Sequence, residues 1–370
     1  MSTEADHNDL SIDCLEIRDF RQYEHLRIDR LARVNLIVGK NGVGKTSLLE
    51  AIRLLATIGA PHVLWEILAS RDEQGPAFVG DQRGQGFANL FRRGANGLSM
   101  SIASSKRNLR AEFGWYREIW EGDQHIRTER VSLDPMGRSF NGLAAEADTA
   151  SFRPMIEFRT EAIHRRVNIG RRYPRPVPDV GGEYPCMYVG PAGISAPETA
   201  RLWDNIALTN LEDDVISALA MIYPALTRVS LAAGVDERTR TPRAKMRDEQ
   251  HPVPLRTLGD GVSRIFGIAL ALVNARAGLL LIDEIENGVH YSIQPQLWQF
   301  LIEASRRFNV QVFATTHSSD AIRALQWAAR DGGQSDVLLT RIEDRKGILG
   351  VRQLDEADLG VAMMEAIEVR

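Results

Sequence analysis

The eight residues Gly39-Lys40-Asn41-Gly42-Val43-Gly44-Lys45-Thr46 fit the pattern Gly-x-x-x-x-Gly-Lys-Thr, and Ser47 follows them. Glycines at 39, 42 and 44 let a backbone curl until its N–H groups surround an anion. Lys45 brings positive charge to terminal phosphates, and Thr46 offers a hydroxyl to Mg²⁺. Residues 39–47 thus read as a phosphate-binding loop, with ATP and Mg²⁺ as its ligands. A second group lies far downstream, where the apolar run Leu279-Leu280-Leu281-Ile282 ends in Asp283 and Glu284. One carboxylate at such a strand end suits the metal, and its neighbour suits the orientation and deprotonation of an attacking water. Asp283 is assigned to the metal beside Thr46, and Glu284 to the water. Further on, Phe313-Ala314-Thr315-Thr316-His317-Ser318 places His317 just past another apolar strand. His317 is read as a γ-phosphate contact, with capping of the following helix as the alternative.

These groups need elements to hold them. Apolar patterning predicts strands at 12–17, 25–29 and 34–38, then a helix at 45–58, so strand, glycine loop and helix follow in order. Residues 59–105 show no sustained period, and strands are predicted at 100–103, 110–116 and 126–133. Residues 170–197 hold six prolines and five glycines; this composition predicts a loop and a module border. Helices are expected at 198–207 and 209–222, the second opened by a capping box of Thr209 and Glu212. A strand at 226–232 and a basic hairpin at 238–255 follow. Next come a helix from 261, a strand at 279–282, a helix at 293–306, a strand at 310–314, a helix at 319–329 and a C-terminal helix at 356–367. Strands alternating with helices predict a largely parallel sheet in a three-layer α/β arrangement. The expected division is 1–60 for the first part of the core, 61–254 for an insertion with a helical lobe, and 255–370 for the rest of the core.

The opening Leu15-Glu16-Ile17-Arg18-Asp19-Phe20-Arg21, the stretch Asp283-Glu284-Ile285-Glu286-Asn287-Gly288 and Thr315-Thr316-His317-Ser318 resemble ABC-type ATPases of the RecF- and SMC-like branch. That branch includes the ATPase modules of overcoming-lysogeny-defect nucleases and stand-alone AAA-family ATPases of anti-phage defence. The resemblance spans 12–329 and is weakest in the middle. It implies a P-loop NTPase fold: an ABC-type ATPase head with a β-rich N-terminal lobe and an inserted α-helical, basic segment. It also implies a signature loop that reaches a partner's γ-phosphate in a dimer. The matching residues are Leu258-Gly259-Asp260-Gly261-Val262-Ser263, which adds Gly259, Asp260 and Gly261 to the nucleotide-binding set. Gly259 stands where the family has serine, so Thr257 or Ser263 would have to supply the hydroxyl. Asp260 stands where the family has glycine, and its carboxylate would have to face away from phosphate or pair with Arg264. No residue is identifiable as the family's glutamine loop. The long interval from Gly39 to Leu258, free of coiled-coil heptads, separates the chain from transporter subunits and SMC arms.

With 370 residues, 44% hydrophobic and 25% charged, the chain has the composition of a globular protein. Its net charge of −4 excludes a protein that coats nucleic acid. Cys14 and Cys186 have no metal-ligand spacing, and no 18-residue apolar stretch occurs, so a cytoplasmic protein without membrane contact is expected. Two local basic tracts, 152–175 and 238–247, offer possible DNA contact, chiefly through Arg165, Arg166, Arg171 and Arg172; a solvated face or a docking surface for an acidic protein is the alternative. No Asp-x-Asp occurs, so a nuclease would have to be a separate effector chain, Toprim-like or other. The expected protein is an ATPase that dimerises around ATP and Mg²⁺ and controls such an effector in anti-phage defence. The alternatives are a RecF-like repair ATPase that binds DNA and an ATP-assembled scaffold that sequesters an effector.

Overall fold

The computed structural model describes residues 10–73, 86–94, 97–121, 124–131, 152–169, 184–233, 240–331 and 336–355. The chain begins with a hairpin, β1 (Leu15–Phe20) and β2 (Tyr23–Ile28), followed by β3 (Val34–Val38), α1 (Lys45–Thr57) and α2 (Pro61–Ala69). Five strands follow: β4 (Ser99–Ala103), β5 (Asn108–Glu121), β6 (Gln124–Val131), β7 (Phe152–Arg159) and β8 (His164–Asn168). After β9 (Cys186–Val189) come α3 (Ala196–Asp204), α4 (Asn210–Ile222), β10 (Leu226–Ala233), β11 (Arg240–Met246) and β12 (Val253–Pro254). The remainder alternates: α5 (Asp260–Asn274), β13 (Leu279–Ile282), α6 (Gln294–Phe308), β14 (Gln311–Thr315) and α7 (Ser319–Asp331), closed by the hairpin β15 (Val337–Arg345) and β16 (Ile348–Leu354).

Two compact units divide these elements. The first comprises Met1–Asp13, Leu31–Leu49 and Tyr184–Arg370 and contains a six-stranded sheet in the order β16-β15-β3-β14-β13-β9. All neighbours except β15 and β16 pair in parallel. Parallel strands covered on both faces need apolar side chains throughout, which accounts for the fully buried Val34–Val38 and Leu279–Ile282. Asn35, the polar member of β3, is satisfied by the N–H and carbonyl of Ala32. Helix α5 is buried from Val262 to Val273 apart from Ser263, as a helix that is apolar on nearly every side must be. Thr209 caps α4 by accepting from the Leu211 N–H, while Glu212 accepts from Leu208, one residue before the position a capping box would use.

The second unit, Cys14–Arg30 and Glu50–Glu183, holds a seven-stranded antiparallel sheet in the order β2-β1-β4-β5-β7-β8, with β6 also paired to β5. This is the expected β-rich lobe.

The structure revises several predicted elements. β1 starts at Leu15 instead of residue 12, because the backbone N–H and carbonyl of Ile12 are both bonded to the Gln311 side chain. The proline-rich stretch predicted as loop contains β9, which adds in parallel to β13. The first basic tract contains two paired strands, β7 and β8. α2 lies in the stretch without period, started by Pro61 at its first turn. The predicted helix at 356–367 is outside the described residues.

Candidate functional site

Strands β3, β14, β13 and β9 run in parallel, so their carboxyl ends share one edge of the sheet, where open α/β sheets bind ligands. β3 delivers Gly39 there, β13 delivers Asp283, β14 ends at Thr315 just before His317, and β9 ends at Val189 before Gly190. The loop 39–44 turns through positive φ at Gly39 (148°), Gly42 (81°) and Gly44 (103°). A Cβ on Gly39 would meet the Ile342 carbonyl oxygen at 2.6 Å, whereas Gly42 faces open space. Lys40, Asn41 and Gly42 are exposed, Val43 and Ser47 are buried, and α1 starts at Lys45 with its first-turn N–H groups against the loop. This arrangement suits an anion.

Lys45 is buried; its ammonium donates to the carbonyls of Gly39 (2.8 Å) and Lys40 (3.1 Å) and to His317 Nδ1 (3.1 Å). Burial pushes its pKa down, against the pull of Asp283, Glu284 and Glu286. With Nδ1 accepting, the His317 proton lies on Nε2, which is 3.7 Å from Glu284 Oε1. Capping of α7 falls to Ser318, whose Oγ accepts from the Asp320 N–H at 3.1 Å. Thr46 Oγ1 donates to Asp283 Oδ2 at 2.9 Å. A hydroxyl and a carboxylate converging this closely are hard oxygen donors and fit Mg²⁺. Glu284 has φ of 52° and takes Asn287 Nδ2 at 2.6 Å on its Oε2. Lys45, Thr46, Asp283, Glu284 and His317 are thereby brought to one place.

Sequence reasoning gave no role to three neighbours, Thr315, Tyr188 and Glu286, and named a fourth, Arg264, only as a possible partner of Asp260. Thr315 Oγ1 donates to Asp283 Oδ1 at 2.5 Å, and Tyr188 OH donates to Oδ2 at 3.4 Å. Glu286 accepts from Thr316 Oγ1 (2.8 Å) and from the His317 N–H (2.7 Å), which fixes the start of the histidine segment. Arg264 is buried and donates through Nη2 to the carbonyls of Asp283 (2.8 Å) and Glu284 (3.2 Å), and through Nη1 to that of Gly190. The pattern Thr-Thr beside an apolar strand was the available signal for Thr315; Tyr188 and Arg264 had none, because strand order and helix orientation decide their partners.

The signature-like segment begins α5. Gly259 precedes it with φ of 112° and no neighbour within 4 Å of a Cβ. The Asp260 side chain is 80% exposed and lies 3.6 Å from Arg256, one helical turn back. The possible pairing of Asp260 with Arg264 is therefore corrected: Arg264 points to main-chain carbonyls. Thr257 Oγ1 donates to the Pro254 carbonyl. A Cβ on Gly261 would meet the Gly288 carbonyl oxygen at 2.8 Å, so the first turn of α5 sits against the segment that follows Glu284.

In the second unit, Arg165 donates to the carbonyls of Thr57 (2.8 Å) and Ile58 (3.0 Å) at the end of α1. Arg166 donates to Glu157 at 2.8 Å and stacks over Tyr116. Both have partners within the protein, and Arg166 is also exposed. Arg171 and Arg172 lie outside the described residues. Glu157, 1% exposed, also takes Arg159 and His164. Burial pushes its pKa up, but the hydrogen bonds from Arg166 and His164 and the charges of His164 and Arg159 outweigh burial and hold it at about 2.

Residues 14–124 match the family model described as "AAA domain", and residues 199–324 match "AAA domain, putative AbiEii toxin, Type IV TA system". The chain is 21% identical over 351 residues to the ATP/GTP phosphatase of Helicobacter pylori, which covers 86% of this chain and 89% of that protein. A 43-residue stretch is 56% identical to the DNA replication and repair protein RecF of Thioalkalivibrio sulfidiphilus, 12% of either chain. The SMC head solved in complex with the C-terminal winged-helix domain of ScpA superposes with a TM-score of 0.50 at 14% identity, covering 95% of this chain and 99% of that one. The fold is that of an SMC-head-like P-loop ATPase. No helix among the described residues is long and apolar enough to cross a membrane.

Proposed function

We propose that the protein is an ATPase that closes as a homodimer around ATP and Mg²⁺, and that its nucleotide cycle controls a separately encoded effector in bacterial defence against phage. The activity is hydrolysis of ATP to ADP and phosphate. The observation that carries it is the 2.9 Å bond from Thr46 at the start of α1 to Asp283 at the end of β13, with Glu284 next in the chain. A bound Mg²⁺ would neutralise phosphate charge. The protein's own residues do the rest: loop amides and Lys45 hold the phosphates, Glu284 accepts a proton from water, and His317 offers Nε2–H toward the terminal phosphate. Likeness to a phosphatase over most of the chain supports hydrolysis, and likeness of 199–324 to a toxin–antitoxin ATPase domain supports a partner protein. Gly259, lacking the signature hydroxyl, favours slow turnover and switch-like use.

The test is Glu284→Gln. It should keep ATP binding, lower turnover by about 10²- to 10⁴-fold and accumulate an ATP-bound dimer in light scattering. Unchanged turnover would remove Glu284 as the base, and a strictly monomeric ATP complex would remove dimerisation. The RecF match supports a second reading as a DNA-acting ATPase; stimulation of hydrolysis by DNA separates it from effector control.

A further inference from the structure

Thr315 ends β14 and is wholly buried, so its hydroxyl must find partners inside the protein. Both partners lie in the turn after β13. Oγ1 donates to Asp283 Oδ1 at 2.5 Å and accepts the Glu284 N–H at 2.9 Å. Strand register explains the meeting: Ile282 pairs with Ala314, so Asp283 and Thr315 are the next positions outward. The Thr315 carbonyl also accepts the Ile285 N–H at 3.0 Å. One residue therefore holds three groups of the turn.

Two consequences follow for the site. With Oδ1 tied to Thr315, the Asp283 carboxylate cannot rotate freely, and Oδ2 is left facing Thr46 and Tyr188. Glu284, at φ of 52°, is in a backbone region that side chains other than glycine and asparagine rarely adopt. Its N–H would be unpaired there without the threonine oxygen.

We infer that Thr315 is a positioning residue for hydrolysis: it presents Asp283 Oδ2 to the metal side and holds Glu284 in the left-handed turn that aims its carboxylate. The inference rests on the ATPase reading, so its test includes Glu284→Gln as a control. Thr315→Val keeps the shape of the side chain and removes the hydroxyl; Thr315→Ser keeps the hydroxyl. The valine variant should lower kcat by about tenfold or more with KM for ATP within about threefold. It should also raise by about threefold the Mg²⁺ concentration that supports half-maximal ATP binding, measured at equilibrium without turnover. Thr315→Ser should restore both. If the valine variant does not fold, Thr315→Cys is measured in its place. A folded valine variant with parental kcat and Mg²⁺ dependence overturns the inference, as does a serine variant that fails to restore them. Full turnover in Glu284→Gln removes Glu284 as the base, and a parental protein that binds ATP without hydrolysing it sinks the ATPase reading instead.

Discussion

The carboxylates at the sheet edge of the first unit are held differently from two buried carboxylates of the second. In the second unit Glu157 is matched by Arg159, Arg166 and His164, and Glu50 by Arg21 and Arg71. In the first unit the hydrogen bonds to the site carboxylates come from neutral groups: hydroxyls of Thr46, Thr315 and Tyr188 on Asp283, the Asn287 amide on Glu284, and Thr316 with a backbone N–H on Glu286. Arg264 is close at hand, yet it donates to carbonyls. Carboxylates answered by cations stabilise the fold and have no charge to spare. Those hydrogen-bonded by neutral donors are not already matched by a bound cation and can receive a metal ion or a proton. The difference separates structure from chemistry where a count of acidic residues cannot.

The sharpest way to break this contrast is Asp283→Asn. It should lower turnover by about a thousandfold, about 4 kcal/mol of barrier, and leave the melting temperature within a few degrees; a large loss of stability with turnover retained would reverse the roles. Glu157→Ala should do the opposite. It should cost about 2 kcal/mol of stability, because two arginines and His164 lose their shared partner while retaining some access to water, and ATP hydrolysis per folded molecule should hold.

The same pairing fixes a pH window. The folded pKa of Glu157, about 2, lies below its ordinary value of 4.5, so the stabilisation is fully present above pH 4.5 and is lost as pH falls toward 2. Hydrogen exchange in β7 and β8 should accelerate over that interval, and Glu157→Ala should abolish the acceleration.

A smaller effect is expected at Gly261. Alanine there brings a Cβ to 2.8 Å from a backbone oxygen, which should cost about 1–2 kcal/mol in chemical denaturation. The smallest is Arg159→Ala, with a side chain 56% exposed; it should change stability by less than about 1 kcal/mol.

Much of the candidate site at the sheet edge was legible because its motifs are contiguous. The loop 39–46 with its flanking strand and helix, the run 279–284 and the stretch 313–318 each carry their pattern within a few residues. What escaped depends on register. That Thr315 meets Asp283 follows from Ile282 lying opposite Ala314, which spacing along the chain does not reveal. β9 escaped because four residues between Pro185 and Gly190 are too few to show a period. The pairing inside the tract 152–175 escaped for a different reason: Glu157 lies within the same tract, and β7 and β8 pair so that Glu157 stands opposite Arg166.

The contact between Gly261 and Gly288 leaves no clearance between the first turn of α5 and the segment trailing Glu284. Parts that touch without slack pass on small displacements undiminished. An inward shift of the first turn of α5 would therefore press on that segment. A methyl group on Gly261 would collide with the Gly288 carbonyl oxygen, whereas one on Gly288 would have room beside Asp260 and be opposed only by the backbone φ of 72°.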